Sequence, residues 1–264
     1  MSSNIKIILK SGKDQSVHRR HPWIFSGAIK KMGGEPFEGQ LVDVYDNKDN
    51  FLARGHYQPG SIAVRILTFR DEEIDRSFFH SRINQAVAYR SKAGIFDLPS
   101  TNVCRLVHAE GDGLPGLIVD LYNNMAVMQM HSAGMYLQRN LIAEILISSL
   151  QGRITAVYDK SGSTLPFKAG IEHENGLLAG QLTENLVEEY GYKFIIDWEK
   201  GQKTGFFIDQ RENRKLIESY SKDKNVLNLF AYTGGYSVYA LNNARMVHTV
   251  DVSSKALELA NKNI

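Results

Sequence analysis

The sequence predicts a multidomain protein of mixed α/β and α+β class: a small N-terminal β-barrel, a middle α+β domain, and the first part of a nucleotide-binding parallel sheet. Three observations carry this. Short strand-like runs separated by Gly, Asn and Asp turns continue to about Arg70, the apolar spacing turns helical from Asp71, and Asn225 to Asp251 reads strand, tight loop, helix, strand, acid. The chain has 264 residues, 43% hydrophobic and 23% charged, enough for two or three small cores. The single cysteine, Cys104, excludes a disulfide framework and a cysteine-rich metal site, and eight histidines without ligand spacing give no metal site. No apolar run reaches membrane-spanning length and the start, Met1 to Lys6, lacks a signal-peptide core, so a soluble cytoplasmic protein without a membrane partner is expected. A net charge of +2 requires any basic surface to come from clustering.

In the first segment, residues 1–72, Ile5, Ile7 and Leu9 alternate, and Leu41 to Tyr45, Phe51 to Arg54 and Ala63 to Leu67 are β-prone runs at the spacing of a compact barrel. Between them, Val17 to Phe25 sets Arg19, Arg20 and two histidines beside Trp23 and Phe25. Cations hold phosphates and aromatic faces stack on bases, so Arg19, Arg20 and Trp23 are the candidate RNA contacts. The other reading, which Trp23 and Phe25 suit better, makes Trp23, Ile24 and Phe25 core and the arginines a solvated rim.

In residues 73–185, Ile74, Phe78, Phe79, Ile83, Ala86 and Val87 follow helical spacing, with Gly94 placed to stop the helix. A strand at Asn102 to His108, a hairpin turning at Asn123-Asn124, an amphipathic helix from Leu137 to Leu150 and a strand at Ala156 to Tyr158 follow. Cys104 reads as packing, because no neighbour would lower its pKa, and Asp112 reads as a turn residue between two glycines.

In residues 186–264, Leu186 to Tyr190 and Tyr192 to Asp197 form paired strands. Asp209 and Glu212 have the spacing of an N-cap and its reciprocal acid for the helix that follows, on which Arg211 could meet a ligand carboxylate while Arg214 suits solvent. Then comes the apolar run Val226 to Phe230, expected to be buried, the loop Phe230-Ala231-Tyr232-Thr233-Gly234-Gly235, and a second run ending on Asp251. A glycine turn admits a ligand to the backbone and an acid at the next strand's tip takes ribose hydroxyls, which implies an adenosine-bearing cofactor. A dinucleotide site usually spaces three glycines; two adjacent ones fit S-adenosylmethionine better than NAD, although a plain helix-opening turn with Asp251 as N-cap accounts for the same residues.

Four segments, His18 to Ile29, Arg105 to Asp120, Gly205-Phe-Phe-Ile-Asp-Gln-Arg-Glu-Asn-Arg214 and Leu227 to Gly235, together resemble the PUA-domain S-adenosylmethionine-dependent ribosomal RNA methyltransferases, relatives of the large-subunit rRNA cytosine-5 enzymes. The resemblance implies a PUA-like RNA-binding barrel, a middle α+β domain and the first part of a Rossmann-like class I methyltransferase sheet. It implies 5-methylcytosine formation in 23S ribosomal RNA, and cofactor contacts at Phe207, Asp209, Arg211, Phe230, Ala231, Tyr232, Thr233, Gly234, Gly235, Asp251 and Val252. In that family the domain continues through further strands and a cysteine region, so catalytic residues are expected beyond Ile264. The alternative is a non-catalytic RNA-binding module; a homodimer is compatible with either.

Overall fold

The computed structural model describes residues 4–166 and 173–264. Three of the first residues read above for a leader, Met1 to Ser3, lie outside this range. The first unit holds β1 (Ile5–Leu9), α1 (Gln15–His18), β2 (Trp23–Phe25), β3 (Ile29–Met32), β4 (Leu41–Tyr45), β5 (Phe51–Tyr57) and β6 (Ile62–Thr68). They form one six-stranded sheet, ordered β2-β6-β5-β4-β1-β3, antiparallel except where β1 runs parallel to β4. Its inner face, Ile7, Leu9, Ile24, Val42, Val44, Ala53, Val64 and Ile66, makes its own core together with Val17 of α1. The alternation that predicted strands is therefore the alternation that buries one face.

The middle region holds α2 (Arg76–Lys92), β7 (Val103–His108), β8 (Leu117–Tyr122), β9 (Met125–Met130), α3 (Ala133–Leu137), α4 (Arg139–Ser149), β10 (Ala156–Asp159) and β11 (Gly176–Ala179). The Asp75 carboxylate caps α2 by accepting from the Phe78 N–H at 2.9 Å, and Gly94 at φ +70° ends that helical stretch in the left-handed region. The strands lie in the order β11-β10-β9-β8-β7, with β9 and β10 parallel. Period-2 alternation gives this sheet two apolar faces. Cys104, Leu106, Leu117, Val119, Leu121 and Met128 face α2 and α4, whereas Val103, Tyr122, Met125, Val127 and Tyr158 face the last third of the chain, meeting Val187, Phe194, Trp198, Phe206 and Tyr239. Cys104 accordingly packs in the core on the α2 face, where burial pushes its thiol up to about 11.

The last region holds the hairpin β12 (Leu186–Glu189) and β13 (Tyr192–Ile195), then α5 (Arg211–Tyr220), β14 (Asn225–Leu229), α6 (Gly235–Leu241), β15 (Met246–Val250) and α7 (Ser254–Asn263). β14 and β15 pair in parallel, Asn225 opposite Met246 through Leu229 opposite Val250. The expected burial of this apolar run is not met. Asn228 and Thr249 turn towards Ser237 of α6 (2.9 and 2.8 Å to its hydroxyl), while Leu227, Leu229, Met246 and Val250 stand exposed, because α6 covers one face only.

Candidate cofactor site

The carboxyl ends of β14 and β15 open onto a cavity of about 590 Å³, lined among others by Phe207, Asp209, Phe230, Tyr232, Asp251 and Val252. Chain reversal at the end of β14 forces unusual backbone here. Phe230 and Tyr232 adopt φ of 56° and 49°, a conformation costly for side-chain-bearing residues and held only where the surroundings fix it. What fixes it is visible. The Ala231 N–H donates to the Val250 carbonyl at 3.0 Å, and the Tyr232 N–H donates to Asp251 Oδ2 at 2.8 Å. The Tyr232 hydroxyl accepts from the Gln202 N–H at 2.8 Å and donates to the Gly205 carbonyl at 3.2 Å. Gly234, at φ +80° before α6, also leaves only 3.0 Å between a would-be Cβ and Ala260 of α7, so both conformation and space call for glycine.

Asp251 is not the N-cap of the following helix. Ser253 caps α7 by accepting from the Ala256 N–H at 3.3 Å, and Asp251 Oδ1 instead accepts from the Ser253 N–H at 2.9 Å. Backbone N–H groups of Ser253 and Tyr232 hold the Asp251 carboxyl below the usual carboxylate range. Each oxygen keeps a lone pair, so the ionised group can still accept from ligand hydroxyls.

Asp209 likewise does not cap its helix. Gln210 is the first residue before α5 and makes no side-chain cap bond, and Asp209 accepts from the Gln210 amide at 2.9 Å with Lys203 at 3.7 Å. Partial burial would raise the Asp209 carboxyl, but the Gln210 amide and Lys203 hold it below its usual range. It faces the cavity, as do Phe230, Ala231, Tyr232, Thr233, Gly235 and Val252.

The two arginines of α5 are committed to buried partners, Arg214 at the cavity wall and Arg211 away from it. Arg214, expected in solvent, is 2% exposed. Its guanidinium donates to both oxygens of Glu189 at 2.8 Å and to the Phe207 carbonyl at 2.9 Å, and it stacks 4.4 Å from the Phe206 ring centroid. Arg211 bonds the same Glu189 at 3.3 Å and the Val103 carbonyl, off the cavity wall. A carboxylate with no exposed surface draws both cations inward. The signal was present in β12, where Glu189 follows Val187 on the inward side of the alternation and therefore needs buried partners.

The other wall of the cavity, Gly201 to Phe207, is pinned to the middle sheet. The Lys160 ammonium donates to the Gly201 carbonyl at 2.6 Å and the Gln129 amide to the Lys203 carbonyl at 3.0 Å. The Thr204 hydroxyl donates to Asp120 Oδ2 at 2.6 Å and lies 2.8 Å from the Tyr122 hydroxyl, and Arg105 grips Asp120 at 2.8 and 2.9 Å. These residues, with Lys203, Gln210 and Tyr236 on the lining, were not singled out in the sequence because their partners lie up to 84 positions away. Asp112 is more than a turn residue, since it receives the Arg90 guanidinium and the His108 N–H at 2.6 Å.

Of the candidate RNA contacts, Arg19 is exposed, Arg20 lies 4.8 Å over the Phe69 ring, and Trp23 is half-buried with its indole N–H donating to Glu110 Oε1 at 2.8 Å. Phe25, which also fitted a core, is 47% exposed, whereas Ile24 between them is buried.

Residues 7–69 match a PUA-like domain and residues 172–263 an S-adenosylmethionine-dependent methyltransferase domain. Ribosomal RNA large subunit methyltransferase I of Alteromonas mediterranea is 41% identical over 263 residues, 98% of this chain and 65% of the relative. The protein of that name from Klebsiella pneumoniae is 40% identical over 266 residues, with the same two coverages. The chain thus carries a PUA-like domain followed by an S-adenosylmethionine-dependent methyltransferase domain, the two domains of the family it resembles. It spans about 65% of the length of these curated relatives. The same fold occurs in a SAM-dependent methyltransferase from Streptococcus mutans, with TM-score 0.82, 22% identity, and 98% and 66% of the two chains covered. It also occurs in a methyltransferase structure complexed with SAH, with TM-score 0.83, 22% identity, and coverages of 98% and 65%.

Proposed function

We propose that this chain holds S-adenosylmethionine in the cavity at the tips of β14 and β15 and presents large-subunit ribosomal RNA to it in the cytoplasm, the product being 5-methylcytosine in 23S rRNA. The observation that carries the cofactor is the composition of the cavity. Phe207, Phe230, Tyr236 and Val252 offer apolar and aromatic surface, Asp251 offers an ionised carboxylate, and both lining cations are already matched, Lys203 with Asp209 and Arg214 with Glu189. No surplus positive charge remains for a pyrophosphate, whereas an adenosine with a zwitterionic tail needs none. A cavity of about 590 Å³ is also within the size range of small-ligand sites.

When bound, the cofactor supplies a methyl group on a sulfonium sulfur. The chain's own residues would hold it: Asp251 accepting from ribose hydroxyls, the Phe230 to Gly234 backbone in close approach, and Phe207, Phe230 and Val252 excluding water from the base. Methylation at cytosine C5 ordinarily needs a thiolate added at C6. Cys104 does not serve, being buried on the face of the sheet turned away from the cavity with its thiol raised to about 11 by burial. That placement favours, as the second reading, an RNA-binding module that does not turn over by itself. Calorimetry on this chain separates the cofactors: S-adenosylmethionine binds and NAD does not, and the reverse result ends the proposal. Transfer of radiolabelled methyl to hypomethylated rRNA by this chain excludes the second reading.

A further inference from the structure

The face of the five-stranded sheet that packs against the last third of the chain is not covered along its whole length. Its lowest row, with Val103 and Tyr122, is buried. The next row, Arg105, Asp120 and Val127, meets the Gly201 to Phe207 wall through Thr204. The row after that is His108, Ile118 and Gln129, and the Gln129 amide reaches the Lys203 carbonyl; His131 follows Gln129 by two residues, its N–H bonded to the Gly116 carbonyl, and both histidines are exposed.

One side of this strip is the barrel. Trp23 of β2 pairs with Arg65 of β6, and the Trp23 indole N–H reaches Glu110 beside the strip. His21 and Phe25 extend the aromatic surface, with ring centroids 5.8 and 6.5 Å from Trp23. The side chain of Arg65 bonds Gln58 at 3.2 Å and forms no ion pair with the described residues. Glu110, Arg65 and Arg105 all act electrostatically on His131. On the other side, Arg105 holds Asp120, which Thr204 of the cavity wall bonds at 2.6 Å, beside Lys203 on the cavity lining. The strip thus runs from the barrel's aromatic surface to the cavity mouth.

We propose that this strip seats an unpaired stretch of RNA, its bases against Trp23 and the two imidazoles and its phosphates beside Arg65, and leads the strand into the cofactor cavity. The inference rests on the cofactor and RNA reading above and adds the route. Stacking surfaces interleaved with a cation are what a single strand needs, whereas a duplex hides its base faces. A second cleft, of about 680 Å³, lies between the barrel and α2 and holds Arg20, Arg70 and Arg82. It shares its lining with Glu72, Glu73 and Asp75 and borders α2, which covers the opposite face of the sheet, so it leads away from the cofactor cavity.

The test uses the whole chain and a fluorescein-labelled 15-nucleotide RNA of mixed sequence, single-stranded or annealed to its complement, followed by anisotropy. Arg65→Gln and His131→Ala should each weaken single-strand binding about tenfold, with Arg65→Gln flattening the slope against log salt by about 0.7, while Arg20→Gln changes affinity less than about threefold. Melting temperature and S-adenosylmethionine affinity, measured on the same preparations, should stay at the unaltered values. The route is overturned if the unaltered chain binds no RNA, if strip variants that keep their melting temperature bind as before, if Arg20→Gln weakens binding as much, or if the duplex binds as tightly as the strand. Loss of S-adenosylmethionine binding by the unaltered chain would instead strike the cofactor reading and leave the RNA result to be read separately.

Discussion

Glu189 and Asp251 are both carboxylates within the last third of the chain, yet they sit in opposite surroundings. Glu189 has no exposed surface and receives two guanidinium groups and the Tyr239 hydroxyl at 3.0 Å, joining β12, α5 and α6. Asp251 receives only backbone N–H groups and turns the rest of its oxygen surface to a cavity. The lesson is a division of labour. Ionisable groups in the interior hold elements together, because leaving either partner alone is costly, while groups at the rim keep bonding capacity for a ligand.

The largest expected effect follows from breaking the interior side. Glu189→Ala strands two buried arginines and should cost about 3–5 kcal/mol in urea unfolding, with loss of folded protein in a marginal background. A cost below about 1 kcal/mol would place the anchor elsewhere.

His56 sharpens the same contrast by pH. It is buried where β5 meets α3, its Nδ1 has no partner among the described residues, and a Cβ on Gly134 would come within 2.1 Å of its ring. Burial pushes its pKa down to about 4 from 6.5. The unfolded chain therefore takes up a proton that the folded chain refuses between those values. This contribution is intact above pH 6.5 and declines as pH falls, levelling below about 4, for a total of about 3 kcal/mol. Urea melts of the unaltered chain and of His56→Gln across this range should differ in slope, and parallel curves would contradict the assignment.

Rim substitutions should do the opposite. Asp251→Ala is expected to lower S-adenosylmethionine affinity at least about tenfold in calorimetry while costing only about 1 kcal/mol of stability, the worth of ordinary hydrogen bonds. The smallest effect is a flat one. Because backbone N–H groups hold the Asp251 carboxyl below its usual range, that group's contribution to binding persists through mildly acid pH and is lost only as pH falls through the lowered value. A loss of affinity already complete at pH 5 would assign the effect to another group.

How much of this was legible beforehand depended on the range of the interaction. The hairpin turning at Asn123-Asn124, the stop at Gly94 and the loop from Phe230 to Gly235 are written in neighbouring residues, and the structure places them as read. The helix caps were read from correct spacing but are made otherwise, since Asp209 and Asp251 turn to Gln210, Lys203 and loop N–H groups. Arg214 looked like a surface residue because its partner lies 25 positions earlier, and the Thr204–Asp120 link spans 84. Exposure of Leu227 and Leu229 was illegible for a related reason: hydrophobicity says that a strand wants cover, not which element provides it.

The central claim is that the β14–β15 tips form a methyl-donor site, and amide hydrogen exchange with and without S-adenosylhomocysteine tests it directly. Protection confined to Phe230 to Gly235, Asp251 to Ser253 and the Gly201 to Phe207 wall is the predicted result. Unchanged exchange at those amides with saturating ligand, or protection appearing instead in the cleft beside Arg20 and α2, would contradict it.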